Sequence, residues 1–398
     1  MAGPSSATDP SSARERVLEA VARGEPLKGG YLIWNLTDRC LNRCQFCQDE
    51  SGRAETGAVV TRETFRRVAE EARDEGFREL FLSGGEPGLL AELPDLVSIA
   101  RDSKLAVAMF TSGAGGKATL DRIVRARPLR VTVSIDAAAP AVHDRLRGRA
   151  GAYADACLAV RELSRCPGIQ VDLHAVVTRD NADDLGGVVV LARRHGIRHL
   201  AVSLVLDAYG RDRAALRLTK PMMLRFVCET IPRLMELAGA DVVVRPLPVP
   251  MGAVALLANP HELSGYLVQH RESTDLRDEI ELWASGHYNR AFLAEYGCLL
   301  PLRDLTIEPN GDVYPCSAST AFRPDHVVGN VHQDSLATIR RSSTLRAFYR
   351  DLRQNDCCAR CHACSNMSDG SYLVRSRPDA VPASLWPALA YGNAVAPC

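Results

Sequence analysis

The sequence predicts an α/β protein: a partial (β/α)6 TIM-like barrel followed by a small cysteine-rich module built from a β-hairpin and a helix. Three observations predict it. Short runs rich in Val, Ile, Leu and Phe alternate with stretches of helical spacing from residue 31 onward. Motif-like polar and glycine-bearing segments, such as Ser83-Gly84-Gly85-Glu86-Pro87, stand directly after the runs. Seven of the thirteen cysteines fall in two tight groups, Cys40, Cys44 and Cys47 near the start, and Cys357, Cys358, Cys361 and Cys364 near the end.

The six runs are YLIWNLT (31–37), ELFLSGG (79–85), LAVAMFTS (105–112), RVTVSID (130–136), QVDLHAVV (170–177) and HLAVSLV (199–205). TRETFRRVAEEARDEG (61–76) and ADDLGGVVVLARRHG (182–196) show helical spacing between them. Strands alternating with helices, joined by right-handed crossovers, make a parallel sheet whose functional groups gather at the C-terminal strand ends. Residues 206–297 are less regular, with helices around 220–239 and 273–294 on either side of a proline-rich extended piece, VVVRPLPVPMG (242–252). In DLTIEPNGDVYPC, Asn310-Gly311 is a strong short hairpin signal. The expected organisation is a disordered tail over 1–28, a core barrel over 29–215, its completion and a bridge over 216–297, the cysteine-rich module over 298–370, and a C-terminal tail over 371–398.

A chain of 398 residues with 46% hydrophobic content can bury a large core. Its 48 basic and 48 acidic residues cancel, so nothing favours a phosphate backbone, and nucleic acid is not expected as a partner. No run reaches the roughly 18 apolar residues of a membrane span, and MAGPSSATDPSSARER lacks the apolar centre of a secretory signal. The expectation is a cytoplasmic protein with no membrane partner. Thiols stay reduced there, so clustered cysteines point to metal rather than to disulfides.

Cys40, Cys44 and Cys47 stand in C-x3-C-x2-C spacing directly after the first run. Thiolates are the usual ligands of iron–sulfur clusters. Three of them on one loop can hold three irons of a [4Fe–4S] cube and leave the fourth iron to another ligand. A structural zinc site wants a fourth protein ligand, and no nearby His or Cys supplies one.

With Phe46 in its aromatic position, this segment resembles the radical S-adenosylmethionine superfamily motif C-x3-C-x-aromatic-C. The resemblance implies that S-adenosylmethionine chelates the open iron and that Phe46 lies against its adenine. Gly84-Gly85-Glu86-Pro87, after the second run, matches the family's GGEP motif and implies a site for the cofactor's amino group. Later strand ends carry Thr111-Ser112-Gly113, then Ser134 and Asp136, then Thr178 and Asn181, with His143-Asp144 and Arg147-Gly148 resembling a family H-D-x-x-R-G segment. Ser134, Asp136, Thr178 and Asn181 are thereby implied as cofactor contacts. Each alone is also what a polar cap at a strand end looks like; the succession of strand ends makes the pattern. His174, inside the fifth run, reads as a satisfied core or lumen histidine.

The C-terminal cysteines resemble the SPASM module or its shortened twitch form: Cys298-x12-Gly311-x4-Cys316, then C-x2-C-x2-C from Cys358. The count suits one auxiliary [4Fe–4S] cluster. The preferred ligands are Cys298, Cys316, Cys361 and Cys364, an arrangement similar to the twitch module of 2-deoxy-scyllo-inosamine dehydrogenase, with Cys358 serving almost as well. A zinc ribbon is the competing reading of that segment.

The resemblance implies an enzyme that reductively cleaves S-adenosylmethionine to a 5′-deoxyadenosyl radical, fed by a reducing partner such as flavodoxin or ferredoxin. The radical takes hydrogen from a substrate carbon. An auxiliary cluster favours oxidation of the resulting radical, although decarboxylation and epimerisation also occur among relatives. Only 30 residues precede the first run, too few for a peptide-recognition domain. The expected substrate is therefore a small polar metabolite, of sugar, aminocyclitol or nucleoside type, in natural-product or antibiotic biosynthesis. The alternative is a thioether or C–C crosslink, or an epimerisation, in a ribosomal peptide. An alternative of another class is a non-catalytic iron–sulfur or zinc-binding protein.

Overall fold

The computed structural model describes residues 10–48, 60–207, 213–256, 259–316, 324–352, 373–381, 383 and 385–391. Its ten strands form one open sheet. β1 (Tyr31–Asn35), β2 (Glu79–Ser83), β3 (Ala106–Thr111), β4 (Arg130–Ser134), β5 (Gln170–Val177) and β6 (His199–Leu204) follow one another in parallel, as the six runs predict. A seventh parallel strand, β7 (Val243–Leu247), continues the sheet beyond β6. It comes from the proline-rich piece. Pro246 has no N–H to donate, which an edge strand tolerates and a central one does not.

α1 (Pro10–Arg23), α2 (Arg62–Asp74), α3 (Leu93–Asp102), α4 (Gly116–Ala126), α5 (Pro140–Arg147), α6 (Ala152–Leu163) and α7 (Leu185–Arg194) come next. α2 starts at Thr61, whose side chain accepts from the Thr64 amide, and buries Phe65, Val68, Ala69 and Ala72. Trp34 of β1 stacks on Phe65 at 4.8 Å, so the alternate residues Leu32 and Trp34 meet the helix layer. The opposite face of the sheet lines the lumen. Its floor holds Tyr31 edge-on to Phe81 at 5.3 Å, Phe81 stacked on Phe110 at 5.7 Å, and an ion pair of Arg130 with Glu79 at 2.7 Å. Aromatic and paired charged groups thus fill the lower lumen, and a cavity opens above them at the strand ends.

The expected helix over 220–239 runs from Lys220 to Ala238, with a π-helical turn over Phe226–Thr230. The expected helix over 273–294 is two helices, Thr274–Ala284 and Arg290–Glu295. They are parted near Gly286, whose φ of +87° suits glycine.

The cysteine-rich module does not stand apart from the barrel. β8 (Leu305–Ile307) pairs in parallel with β1, and β9 (Asp312–Tyr314) folds back on β8 around Asn310-Gly311. The two-residue β10 (Gly329–Asn330) closes that edge. Two short helices follow, Leu336–Arg340 and Ser343–Asp351, capped by Ser335 and Ser342.

Both expected tails need correction. α1 buries Ala13, Val17 and Val21, and the helix Leu385–Tyr391 buries Leu385, Trp386 and Leu389, all in one cluster with Leu299 and Leu302. A stripe of small and β-branched residues at i, i+4 and i+8 is too thin to stand out beside the polar start of the chain. A distant partner completes it. No helix among the described residues is long and apolar enough to cross a membrane.

Candidate active site

The strand ends enclose a cavity of about 330 Å³ above the aromatic floor. Cys40, Cys44, Phe46 and Cys47 border it from the loop after β1, Gly84, Gly85 and Pro87 from the loop after β2, and Ser112 and Ser134 from β3 and β4. Arg147, His174 and Ser203 add to its polar lining.

The cysteine loop is pinned from three sides. On the first, the Gly85 amide donates to Thr37 O at 2.6 Å and the Glu86 amide to Arg39 O at 2.9 Å. A Cβ on Gly85 would lie 2.1 Å from Arg39 O, so this close approach requires glycine. On the second, the end of α5 accepts two loop amides, Arg43 N to Arg147 O at 2.9 Å and Gln45 N to Leu146 O at 3.0 Å. On the third, the buried Arg213 donates to Phe46 O at 2.7 Å and also to Cys47 O. The loop is held by its backbone, and all three of its cysteines border the cavity.

Burial pushes the Cys40 thiol up to about 12, so without metal it keeps its proton, and metal binding must displace that proton. No group of three metal-ligating side chains among the described residues stands close enough for a single ion. A cube takes each of its thiolates on a different iron. Three thiols, two side-chain-free glycines and serine hydroxyls around one cavity fit a cluster that shares its open iron with a polar cofactor. Cys298 and Cys316 also come together, packed with Leu300 and Leu352. Cys357, Cys358, Cys361 and Cys364 lie outside the described residues.

Four expected contacts are turned away from the cavity. The Glu86 carboxylate is fully buried and accepts from Thr111 Oγ1 (2.7 Å), Ser112 N and Oγ (both 2.8 Å) and Gly88 N (3.3 Å). It binds the β3 loop to the β2 loop, and its lone pairs are used there rather than on an ammonium group. Asp136 is fully buried against Arg147 Nε at 2.6 Å and the Val176 amide at 2.9 Å. Asn181 donates to Asp136 O and Val176 O, and its own oxygen accepts from Thr178. Thr178 and Asn181 thus form a buried clasp across the ends of β4 and β5.

His174 is a lumen histidine that reaches the cavity, with Nε2 2.7 Å from Ser203 Oγ. His143 accepts from the Asp136 amide on Nδ1 at 3.1 Å. Burial pushes both imidazoles down to about 4. The unfolded chain binds these protons near pH 6.5, so the stability from each neutral ring is complete above that pH and is lost as pH falls toward 4. Each ring should cost about 2 kcal/mol between pH 6.5 and pH 5. Urea unfolding at pH 7 and pH 5 checks this. His174→Gln should lessen the loss of stability between pH 7 and pH 5, and an unchanged dependence would mean that the ring is not held neutral.

Arg213 carries no local signal of its role, and the H-D-x-x-R-G resemblance that picks out Arg147 does not point to Cys44. Arg147 meets Cys44 across 103 positions and Arg213 meets Phe46 across 167. Only the fold brings them together.

A family model described as the Radical SAM superfamily matches residues 34–192. A second, described as an iron–sulfur cluster-binding domain named SPASM, matches residues 298–365. A PqqA peptide cyclase of Ruegeria pomeroyi is 32% identical over 189 residues, covering 46% of this chain and 50% of the relative. One from Xanthomonas axonopodis pv. citri is 31% identical over 200 residues, covering 48% and 52%. The chain thus spans about half the length of the curated relatives it matches. Among solved structures, SuiB of Streptococcus suis bound to S-adenosylmethionine superposes with a TM-score of 0.63 at 16% identity, over 89% of this chain and 75% of SuiB. Native anSMEcpe with bound AdoMet gives 0.56 at 15% identity, over 80% and 82%. At these identities the likeness is one of fold.

The curated relatives overturn one expectation. They are peptide cyclases, so a small polar metabolite no longer stands as the substrate, nor a small molecule as the partner. The length of chain before β1 bears on how a peptide would be recognised, not on which group enters the cavity.

Proposed function

We propose a function from one premise: the chain belongs to the radical S-adenosylmethionine superfamily and carries a C-terminal SPASM module, with a cofactor-binding [4Fe–4S] cluster and an auxiliary cluster. It modifies a ribosomally made precursor peptide, forming a crosslink between two of its residues. The similarity to PqqA peptide cyclases carries this reading.

The cofactors supply reductive cleavage of S-adenosylmethionine and a hydrogen-abstracting radical. The chain supplies the rest. Cys40, Cys44 and Cys47 hold the cluster, while Gly84 and Gly85 let the cofactor approach the backbone and Ser112 and Ser134 offer hydroxyls to its polar end. Phe46 packs on Leu146 and Val205 beneath the Arg147 guanidinium and forms one wall. The Tyr31–Phe81–Phe110 floor excludes water from below, so a radical meets only what enters from the strand ends. The reaction takes place in the cytoplasm, where a flavodoxin- or ferredoxin-type donor supplies electrons.

Anaerobic incubation of the reconstituted protein with S-adenosylmethionine, a reductant and a precursor peptide encoded beside its gene tests this reading by mass spectrometry. The expected product has lost two hydrogens, with 5′-deoxyadenosine formed alongside. If 5′-deoxyadenosine forms but no neighbouring peptide changes mass, the peptide reading is wrong.

A further inference from the structure

Among the described residues that line the cavity, Arg147 is the one arginine or lysine. It sits at the end of α5 with a buried guanidinium that faces three groups at once. Its Nε donates to Asp136 Oδ2 at 2.6 Å. Its Nη1 lies 3.7 Å from Cys44 Sγ, within reach of an N–H···S bond, and its Cζ lies 5.2 Å from the Phe46 ring centroid. The ion pair with Asp136 fixes the planar fork, so the donor toward sulfur is aimed rather than swinging. Asp136 is held in turn by the Val176 amide, and Asn181 grips its backbone oxygen. Removing one partner of such a pair leaves an uncompensated buried charge, which is why the arrangement is fixed.

A hydrogen bond and a positive charge at a ligating sulfur stabilise the more negative state of an iron–sulfur cluster, the state with one added electron. A carboxylate behind the arginine opposes that effect. We infer that the Asp136–Arg147 pair sets the reduction potential of the first cluster through Cys44, with Arg147 raising it and Asp136 restraining the rise. Arg147 is here a tuning residue that acts through a ligand, distinct from any contact it makes with the cofactor. The inference rests on Cys44 being a ligand of that cluster.

The test is a redox titration of the full, reconstituted chain without S-adenosylmethionine, using dithionite as electron source and reading the reduced cluster by electron paramagnetic resonance. The first cluster is identified by the signal that changes when S-adenosylmethionine is added afterwards. Arg147→Gln should shift its midpoint negative, lowering the ratio of reduced to oxidised cluster by roughly threefold to tenfold at fixed ambient potential. Arg147→Lys, which keeps the charge but not the fork, should fall between this variant and the parent. Asp136→Asn should shift the midpoint the other way. A purely structural pair would not give shifts of opposite sign.

Unmoved midpoints in fully loaded variants, or shifts of the same sign in Arg147→Gln and Asp136→Asn, overturn the inference. If Arg147→Gln loads no cluster, Arg147→Lys and Asp136→Asn decide, and an unchanged midpoint in both overturns it. A parent protein with no signal that responds to S-adenosylmethionine would instead refute Cys44 as a ligand, which separates that failure from a failure of the tuning.

Discussion

Replacing Cys40, Cys44 and Cys47 together with alanine will remove about four of the chain's roughly eight irons and reduce 5′-deoxyadenosine formation to background. Iron and sulfide per chain, with chromatographic detection of 5′-deoxyadenosine, measure it. The loop should keep its path in the variant. Its anchors are backbone groups, with Gly85 and Glu86 donating to Thr37 O and Arg39 O, and Leu146 and Arg147 accepting from Gln45 and Arg43. Thermal unfolding should therefore change little beyond the loss of bound metal. If the variant keeps eight irons, the first cluster lies elsewhere. If it loses four but still makes 5′-deoxyadenosine, the auxiliary cluster is doing the chemistry.

Glu86→Ala carries the second large effect, and it falls first on stability. The substitution leaves the Thr111 and Ser112 hydroxyls and the Ser112 and Gly88 amides without their buried acceptor. A loss of about 3–5 kcal/mol is expected, because several buried donors are orphaned at about 1–3 kcal/mol each. Because Glu86 ties the β2 loop to the β3 loop, S-adenosylmethionine affinity should drop at least about tenfold as well, since both loops border the cavity. Urea unfolding and equilibrium binding separate the two ideas about this residue. A carboxylate that contacted the cofactor's ammonium group would lose affinity with stability intact. An anchor loses both together, and Glu86→Gln, which keeps one acceptor oxygen, should fall between.

Much of this architecture was legible from short-range pattern. The six barrel strands announce themselves because each is a short apolar run bounded by turns, and the cysteine loop because a cube needs its ligands within a few residues of one another. Asn310-Gly311 places the hairpin for the same reason: the turn is written in two adjacent residues. What stayed hidden depends on distance along the chain. β7 carries Pro246, and only its place at the sheet edge makes that acceptable. α1 shows too few apolar positions until Trp386 and Leu389 arrive to cover them. The motif residues Glu86, Asp136, Thr178 and Asn181 could be picked out, but motif membership did not reveal that they face inward and hold the strand ends. Arg147 and Arg213 act on the cysteine loop from more than a hundred positions away. Substrate class was the least legible of all, because the number of residues before the first strand says nothing about the group that reaches the cavity.

The pairing of β8 with β1 reaches past folding. β1 runs directly into the Cys40 loop, and the hairpin that begins with β8 leads into Cys316. The two sets of thiols are therefore spaced by the hydrogen-bonded rungs of a single sheet, which serves as a ruler, rather than by a hinge between domains. Under the proposed function, an electron passing between the cavity and the auxiliary cluster would cross a span fixed by these rungs, the same in every molecule and insensitive to slow rocking of one half against the other.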